Sequence, residues 1–285
     1  MRIFMIMIVM IFSLEAKSFF SNDEQAQRST YIGALKDLVI ATQKTRGLTN
    51  SYLNGNLASM LLVYGNRDDM KKAIGVMESL PFAADPVINS RATNISQSLI
   101  KLNRKAFKTK KPAEIFENYS ELIEQTLMLA QSVSKRDIED LNPIGRSLTA
   151  TMMETILPYT ENVGQMRGMG SGLIAKGKVT QMQKAQMLAF IGEIQRLHSK
   201  LLVEVNVAIS KNQKYFHNDI KNKLDTVEKL TKNYTELTKK GVLNAKVIKL
   251  NPDDYFDKGT DVISLLIDIY NINNKVILED SKGWL

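Results

Sequence analysis

The sequence predicts an all-α protein built as two four-helix bundles with long amphipathic helices. Leu, Ile, Met, Lys and Glu dominate the composition, and these residues favour helices. Only 6 Pro and 15 Gly occur in 285 residues, too few for the many turns of a β architecture. Apolar side chains also recur at helical spacing over most of the chain, as at Ile191, Ile194, Leu197 and Leu201.

We predict eight helices, bounded mainly by residues that interrupt helical structure. Pro81 and Pro86 separate the second helix from the third, and Pro112 begins the fourth. Pro143 and Pro252 begin the fifth and the last. The predicted helices span residues 22–54, 57–80, 84–107, 112–134, 144–176, 180–211, 215–240 and 252–281.

These helices are expected to form two bundles, because each amphipathic face needs partners. The charged segment 135–143 provides the boundary between them. It gives a first bundle at about 22–134 and a second at about 144–281. Both belong to one predicted domain at 17–285.

The first 16 residues are typical of an export signal. Arg2 precedes an apolar run from Ile3 to Leu14, and Ala16 offers a small residue at the expected cleavage point. This run is shorter than the roughly 20 residues that a membrane span needs. We therefore expect a cleaved signal peptide at 1–16 and a periplasmic or otherwise exported protein. An uncleaved N-terminal anchor is the alternative.

Residue types argue against an enzyme or a metal protein. The chain has no Cys, which excludes thiolate nucleophiles and thiolate metal sites. Its two histidines, His198 and His217, lie in polar helical stretches typical of a protein surface. Asp253 and Asp254 begin a helix, where carboxylates cap the backbone and complement the helix dipole. We predict no catalytic residue, no metal and no cofactor.

Net charge points to an anionic partner. The formal charge is +8 at pH 7, which favours association with anions. For an exported protein, small anions or anionic lipid fit this charge better than nucleic acid does. Nucleic acid is therefore not an expected partner.

A short internal repeat is the most informative feature of the sequence. Arg46-Gly47 and Arg167-Gly168 each lie late in the first long helix of a bundle, and each is followed by another Gly, Gly55 or Gly177, about ten positions on. A duplicated fold would place the two dipeptides opposite each other across the interface between the bundles. Gly in a helix interior costs about 1 kcal/mol relative to Ala, so its recurrence here indicates a close approach of backbone or ligand.

The paired arginines allow two interpretations. A guanidinium presents a planar fork of donors that matches planar oxyanions, so the two side chains together suit a small anion. The predicted ligand contacts are these arginines and the small or polar residues beside them: Arg46, Gly47, Thr49, Asn50, Arg167, Gly168 and Ser171. Alternatively, each arginine pairs with a carboxylate at the interface between the bundles. Spacing alone leaves both interpretations open.

Three segments resemble the nitrate- and nitrite-sensing (NIT) domain family. They are KTRGLTNSYLNGN at 44–56, ENVGQMRGMGSGLIAKGKVT at 161–180 and PDDYFDKGTDVISLL at 252–266. The resemblance implies two four-helix bundles with nitrate or nitrite held near their interface by one arginine from each. Those arginines map onto Arg46 and Arg167. A chemoreceptor-like module for another small anion, such as a carboxylate, is the alternative.

The resemblance also bears on signalling. Family members commonly carry a fused output module, whereas this sequence ends at Trp284-Leu285 directly after the last predicted helix. This departure implies a stand-alone sensor that signals through a partner, most simply a membrane sensor kinase or receptor. A protein that binds the anion without signalling is the alternative, and a homodimer is left open.

Overall fold

The computed structural model describes residues 2–136, 138–216 and 219–281, with residues 2–23, 140 and 281 described by their backbone alone. Over these ranges the chain is all-α, as predicted, and contains no strand. The helices are α1 (Arg2–Leu53), α2 (Ser59–Ser79), α3 (Pro86–Lys105), α4 (Pro112–Ser134), α5 (Pro143–Thr151), α6 (Leu157–Lys176), α7 (Gln181–Lys211), α8 (Asp219–Thr238) and α9 (Pro252–Ser281). A π-helical turn at Met152–Ile156 joins α5 to α6 in one continuous rod.

The predicted helix bounds agree with the structure to within a few residues, with one clear exception. The prediction that the first helix begins at residue 22 was wrong, since α1 runs from Arg2 to Leu53. Its physical reason is that no Gly or Pro occurs before Gly33 to interrupt the helix. Cleavage of residues 1–16 stays a prediction. Within the described part of the chain, no helix combines the length and apolarity that crossing a membrane requires.

Two sets of four helical rods pack through α1 and α6. Helix α1 contacts α2 and α4, and α3 packs on α4. The α5–α6 rod contacts α7 and α9, and α8 packs on α9. Helix α1 also lies along α6, so these two helices form most of the contact between the sets. His217 and Trp284-Leu285 lie outside the described residues.

Glycines end both of the central helices. Gly177 follows α6 with φ 68°, and its amide donates to the carbonyl of Leu173. Gly55 follows α1 with φ 118°, and its amide donates to the carbonyl of Tyr52. Because a positive φ strains residues that carry a Cβ, Gly at these two ends has a backbone reason. The later Gly of each copy of the repeat is therefore a helix terminator.

Candidate anion-binding site

Helices α1 and α6 approach most closely where the two Arg-Gly dipeptides face each other. A Cβ built on Gly168 would lie 2.9 Å from the Cα of Gly47, and one built on Gly47 would lie 3.1 Å from the Cα of Gly168. Each Cβ would thus approach the backbone of the facing helix, which cannot rotate out of the way as a side chain can. The close approach therefore accounts for both glycines, and it brings the two neighbouring arginines into one region.

Arg46 is fully buried and paired. Its Nη1 donates to Oε1 of Glu161 at 2.6 Å, and its Nη2 donates to Oε2 at 3.2 Å. Nη1 also donates to Oγ of Ser120 at 2.9 Å, and the guanidinium carbon lies 4.9 Å from the ring centroid of Phe116. This is the forked geometry in which an arginine holds a planar oxyanion. The anion here is a side chain of the protein.

Two amides complete the surroundings of the Glu161 carboxylate. Gln43 donates from α1 to Oε2, and Gln165 donates from α6 to Oε1, both at 2.9 Å. Together with the Arg46 fork, they give this carboxylate four donors. A buried carboxylate needs such donors because it has lost its hydration. The network neutralises Arg46 inside the interface.

Arg167 is equally buried, at 2% exposure, but is not paired in this way. Its Nη1 donates to Oγ1 of Thr260 at 2.8 Å, and its guanidinium carbon lies 4.3 Å from the ring centroid of Phe256. Nε and Nη2 are buried without a hydrogen-bond partner. None of the ion pairs among the described residues involves Arg167. Two donors of a buried cation therefore remain unsatisfied.

Burial is the main cause that lowers the pKa of Arg167 to about 10, and the positive charge of Arg46 acts in the same direction. The side chain nevertheless remains a cation at neutral pH, since this pKa is well above 7. An unpaired buried charge is costly, and a small anion would offset that cost. The electrostatics of this position therefore favour an anionic ligand.

The two arginines have equivalent surroundings. We call Arg46, Phe116 and Ser120 the Arg46 half-site, and Arg167, Phe256 and Thr260 the Arg167 half-site. In each, the aromatic ring and the hydroxyl come from one turn of the last helix of a bundle, α4 or α9. Each ring also lies against the glycine of the other half: a Cβ on Gly47 would meet Phe256 at 2.7 Å, and one on Gly168 would meet Phe116 at 3.0 Å. The half-sites thus follow the internal duplication.

The half-sites differ in the residue that faces each arginine from the other helix. Glu161 lies six residues before Arg167 on α6, and the position six residues before Arg46 on α1 is Ile40. An apolar side chain at that position cannot neutralise the facing arginine. The carboxylate therefore closes the Arg46 half-site and leaves the Arg167 half-site open.

The open half-site lies on a cavity. This cavity, of about 590 Å³, lies among α1, α2 and α9, and both Arg167 and Thr260 line it. Charges of both signs occur along the wall: Asp37, Lys44, Asp69, Lys72 and Asp268. The cavity therefore extends to the wall that Arg167 and Thr260 form.

Comparison with known proteins identifies the family of the chain. The family model described as nitrate and nitrite sensing matches residues 37–276. The chain belongs to the nitrate and nitrite sensing family. Among solved structures, it is similar to the NasR transcription antiterminator, with a TM-score of 0.63 and 16% identity over 98% of this chain and 75% of that one. At this identity the likeness shows the fold alone. No curated protein sequence matches the chain.

Within this NIT fold, two of the predicted ligand contacts have other partners, and a third is buried. Asn50 donates through Nδ2 to the carbonyl of Gly168 at 2.9 Å. Ser171 donates through Oγ to Ser51 Oγ at 2.9 Å and to the carbonyl of Pro252 at 3.2 Å. Thr49 is fully buried. Asn50 and Ser171 therefore connect helices across the interface, where the sequence had suggested ligand donors.

Sequence reasoning missed two residues that shape the half-sites. Glu161 and Thr260 lie inside the segments that resemble the NIT family, yet neither was singled out. A signal was present, because FENYS at 116–120 and FDKGT at 256–260 share an aromatic residue followed four positions later by a hydroxyl. This second repeat, together with the repeated Arg-Gly dipeptide, identifies both half-sites.

Proposed function

We propose that this NIT-family protein is a sensor that binds nitrate, nitrite or both at the Arg167 half-site. The supporting observation is a buried guanidinium that stays cationic at neutral pH, has two unsatisfied nitrogens and lines a cavity. Nitrate is a planar oxyanion that accepts two parallel N–H bonds, as carboxylates do. Binding would satisfy those nitrogens and neutralise the charge. We propose no catalytic step.

Arg46 has a different part in this proposal from the one the sequence suggested. The fork of Arg46 is occupied by Glu161, so Arg46 does not contact the anion in this state. We propose that Arg46 and its ion pair fix α1 against α6 and so hold the position of Arg167. One arginine then binds the ligand and the other supports the interface.

Calorimetric titration of the folded chain with sodium nitrate, sodium nitrite and sodium chloride tests the proposal. We expect one site for at least one of the two oxyanions and much weaker binding of chloride. Arg167→Met should abolish the heat of binding, because the cation is removed while the aliphatic stem is kept. The exposed Arg91→Met is the matched control and should bind as the parent does. Unchanged binding in Arg167→Met would contradict the proposal.

A second candidate is favoured by the size of the cavity. A volume of about 590 Å³ is within the roughly 300–1,000 Å³ typical of organic ligand pockets and exceeds what one nitrate fills. An organic carboxylate would bind Arg167 through its carboxylate and fill the cavity with its body. A thermal-shift screen of small organic acids beside nitrate separates the two. A larger acid that stabilises more than nitrate would favour the second candidate.

We further propose that the protein is exported and signals through a membrane sensor kinase or receptor. Its support is the signal-like N-terminal sequence and membership of a sensing family. N-terminal sequencing of the protein from a periplasmic fraction should give a chain beginning at residue 17. Cross-linking with and without sodium nitrate should recover a membrane protein in a nitrate-dependent way. Light scattering measures whether the chain is a homodimer.

A further inference from the structure

We infer that the Arg46 half-site is a second anion-binding site, of which the Glu161 carboxylate is the built-in ligand. A free planar oxyanion, nitrate or a small carboxylate, takes this site when the charge of Glu161 is removed. The inference rests on the proposed function, because it treats the Arg167 half-site as the open counterpart. It assigns a function to Glu161, which family membership alone does not.

The contacts of Glu161 are those of a bound anion. Both carboxylate oxygens face the Arg46 fork, and each accepts one further bond from an amide, from Gln43 or from Gln165. All four donors lie within 3.2 Å of their acceptor. The carboxylate is joined to α6 only through its own flexible side chain. A free carboxylate or nitrate would therefore fit the same donors.

The duplication transfers part of this geometry to the Arg167 half-site, where Gly164 stands in the position equivalent to Gln43 and supplies no side-chain donor. Gln165, two residues before Arg167, corresponds to Lys44, two residues before Arg46. Lys44 lines the cavity beside Arg167, so an anion there would have Lys44 where Glu161 has Gln165. Ile40, which stands in the position of Glu161, lines the same cavity. The Arg167 half-site thus borders open space at the position where the Arg46 half-site has a carboxylate.

The closed half-site also borders a cavity. This second cavity, of about 490 Å³, is lined by Phe116 and Ser120 of the Arg46 half-site and by Gln165. It therefore reaches the ring, the hydroxyl and one amide that surround the ion pair, whereas Arg46 and Glu161 do not line it.

Stoichiometry of nitrate binding tests the inference. By calorimetric titration with sodium nitrate, the parent should bind one anion per chain and Glu161→Gln two, because Gln lacks the charge that holds this side chain on the Arg46 fork and an anion can displace its flexible side chain. Glu161→Gln combined with Arg167→Met should bind one, whereas Arg167→Met alone binds none. Glu124→Gln, an exposed carboxylate on α4, makes the same change in net charge and should still bind one.

The reciprocal substitution gives an independent measurement. Ile40→Glu places a carboxylate opposite Arg167, as Glu161 is placed opposite Arg46, and should lower nitrate affinity at least tenfold. Ile40→Gln carries no charge and should keep affinity within about twofold of the parent. Equal nitrate affinity in Ile40→Glu and Ile40→Gln, with native helicity, would overturn the inference.

Chemical rescue covers the case in which Glu161→Gln does not fold. In Glu161→Ala, sodium formate supplies the missing carboxylate and should raise the melting temperature more than it does in the parent. No difference between the two would count against the inference.

The two proposals fail separately. One site in both the parent and Glu161→Gln overturns the inference and keeps the proposed function. No site in the parent but one in Glu161→Gln overturns the proposed function and supports the inference. No site in either chain overturns both.

Discussion

The two arginine half-sites have the same construction and opposite electrostatics. Each arginine lies on an aromatic ring and donates to a hydroxyl one turn further along the same helix. At Arg46 the charge is neutralised by Glu161, whereas Arg167 retains two unsatisfied nitrogens. Burial of an arginine is thus a poor indicator of ligand binding by itself. The absence of a carboxylate partner is what distinguishes the proposed ligand site.

This difference divides the interface into a fixed part and a responsive part. The Arg46–Glu161 pair connects α1 to α6 through a counterion that the protein itself supplies. Arg167 connects α6 to Thr260 of α9 with a charge that lacks a counterion. We expect an anion to stabilise the arrangement of α6 and α9 selectively, because ligands favour the state that they bind best. Signalling would then originate in the second bundle.

Replacement of each arginine by methionine should have opposite effects on stability. Arg46→Met leaves Glu161 buried without its cation and should lower the free energy of unfolding by about 3–5 kcal/mol. Arg167→Met removes an unpaired buried charge and should raise it by about 1–3 kcal/mol. Urea denaturation in nitrate-free buffer measures both. Losses of similar size in the two variants would show that the half-sites are electrostatically alike.

The glycines between the half-sites should respond alike, since one contact serves both. Gly168→Ala and Gly47→Ala place a methyl group against backbone and a phenyl ring, and each should cost about 1–3 kcal/mol. Gly33→Ala, on α1, has no atom within 4 Å of the new Cβ and should gain up to about 1 kcal/mol. Thermal denaturation of the three variants makes the comparison. A gain at Gly168 would contradict the close approach.

Helix bounds were predictable because local signals decide them. Pro112 and Pro252 begin α4 and α9 as predicted, since Pro suits the first turn of a helix and no later position. The start of α1 was not predictable from breakers, because none occurs there. Bounds set by a residue type can be recognised in sequence, whereas those set by continuity cannot.

The candidate site was predictable only in part. The repeated Arg-Gly dipeptide predicted that Arg46 and Arg167 would lie near each other. Two interpretations were left open, pairing with a carboxylate or binding an anion. The structure pairs Arg46 with a carboxylate and leaves Arg167 without one. Which arginine is paired depends on Glu161, whose contact with Arg46 spans 115 residues of sequence. Long-range contacts of this kind leave no spacing pattern in a single sequence.

Removal of each hydroxyl should sharpen the comparison further. Thr260→Val deprives Arg167 of its described hydrogen-bond partner and should cost about 1–2 kcal/mol in nitrate-free buffer. Ser120→Ala leaves Arg46 paired with Glu161, so its cost should stay below about 1 kcal/mol. Sodium nitrate should raise the melting temperature of both variants, because both keep Arg167, and by more in Thr260→Val, where the anion can also accept from the nitrogen that lost its hydroxyl partner. An equal rise in the two variants would show that the anion does not contact this nitrogen.

The smallest expected effect concerns pH and isolates Arg167 as the ligand-binding cation. Burial lowers the pKa of this guanidinium to about 10, so it is fully protonated from pH 6 to 9 and nitrate affinity should be constant there. At pH 10 about half of the empty protein has lost the charge, and affinity should fall about twofold. The sign follows because the anion binds the protonated form alone. Calorimetric titration with sodium nitrate across this range measures it. A loss of affinity already between pH 6 and 8 would point to a group other than Arg167, since a guanidinium whose pKa is near 10 does not titrate there.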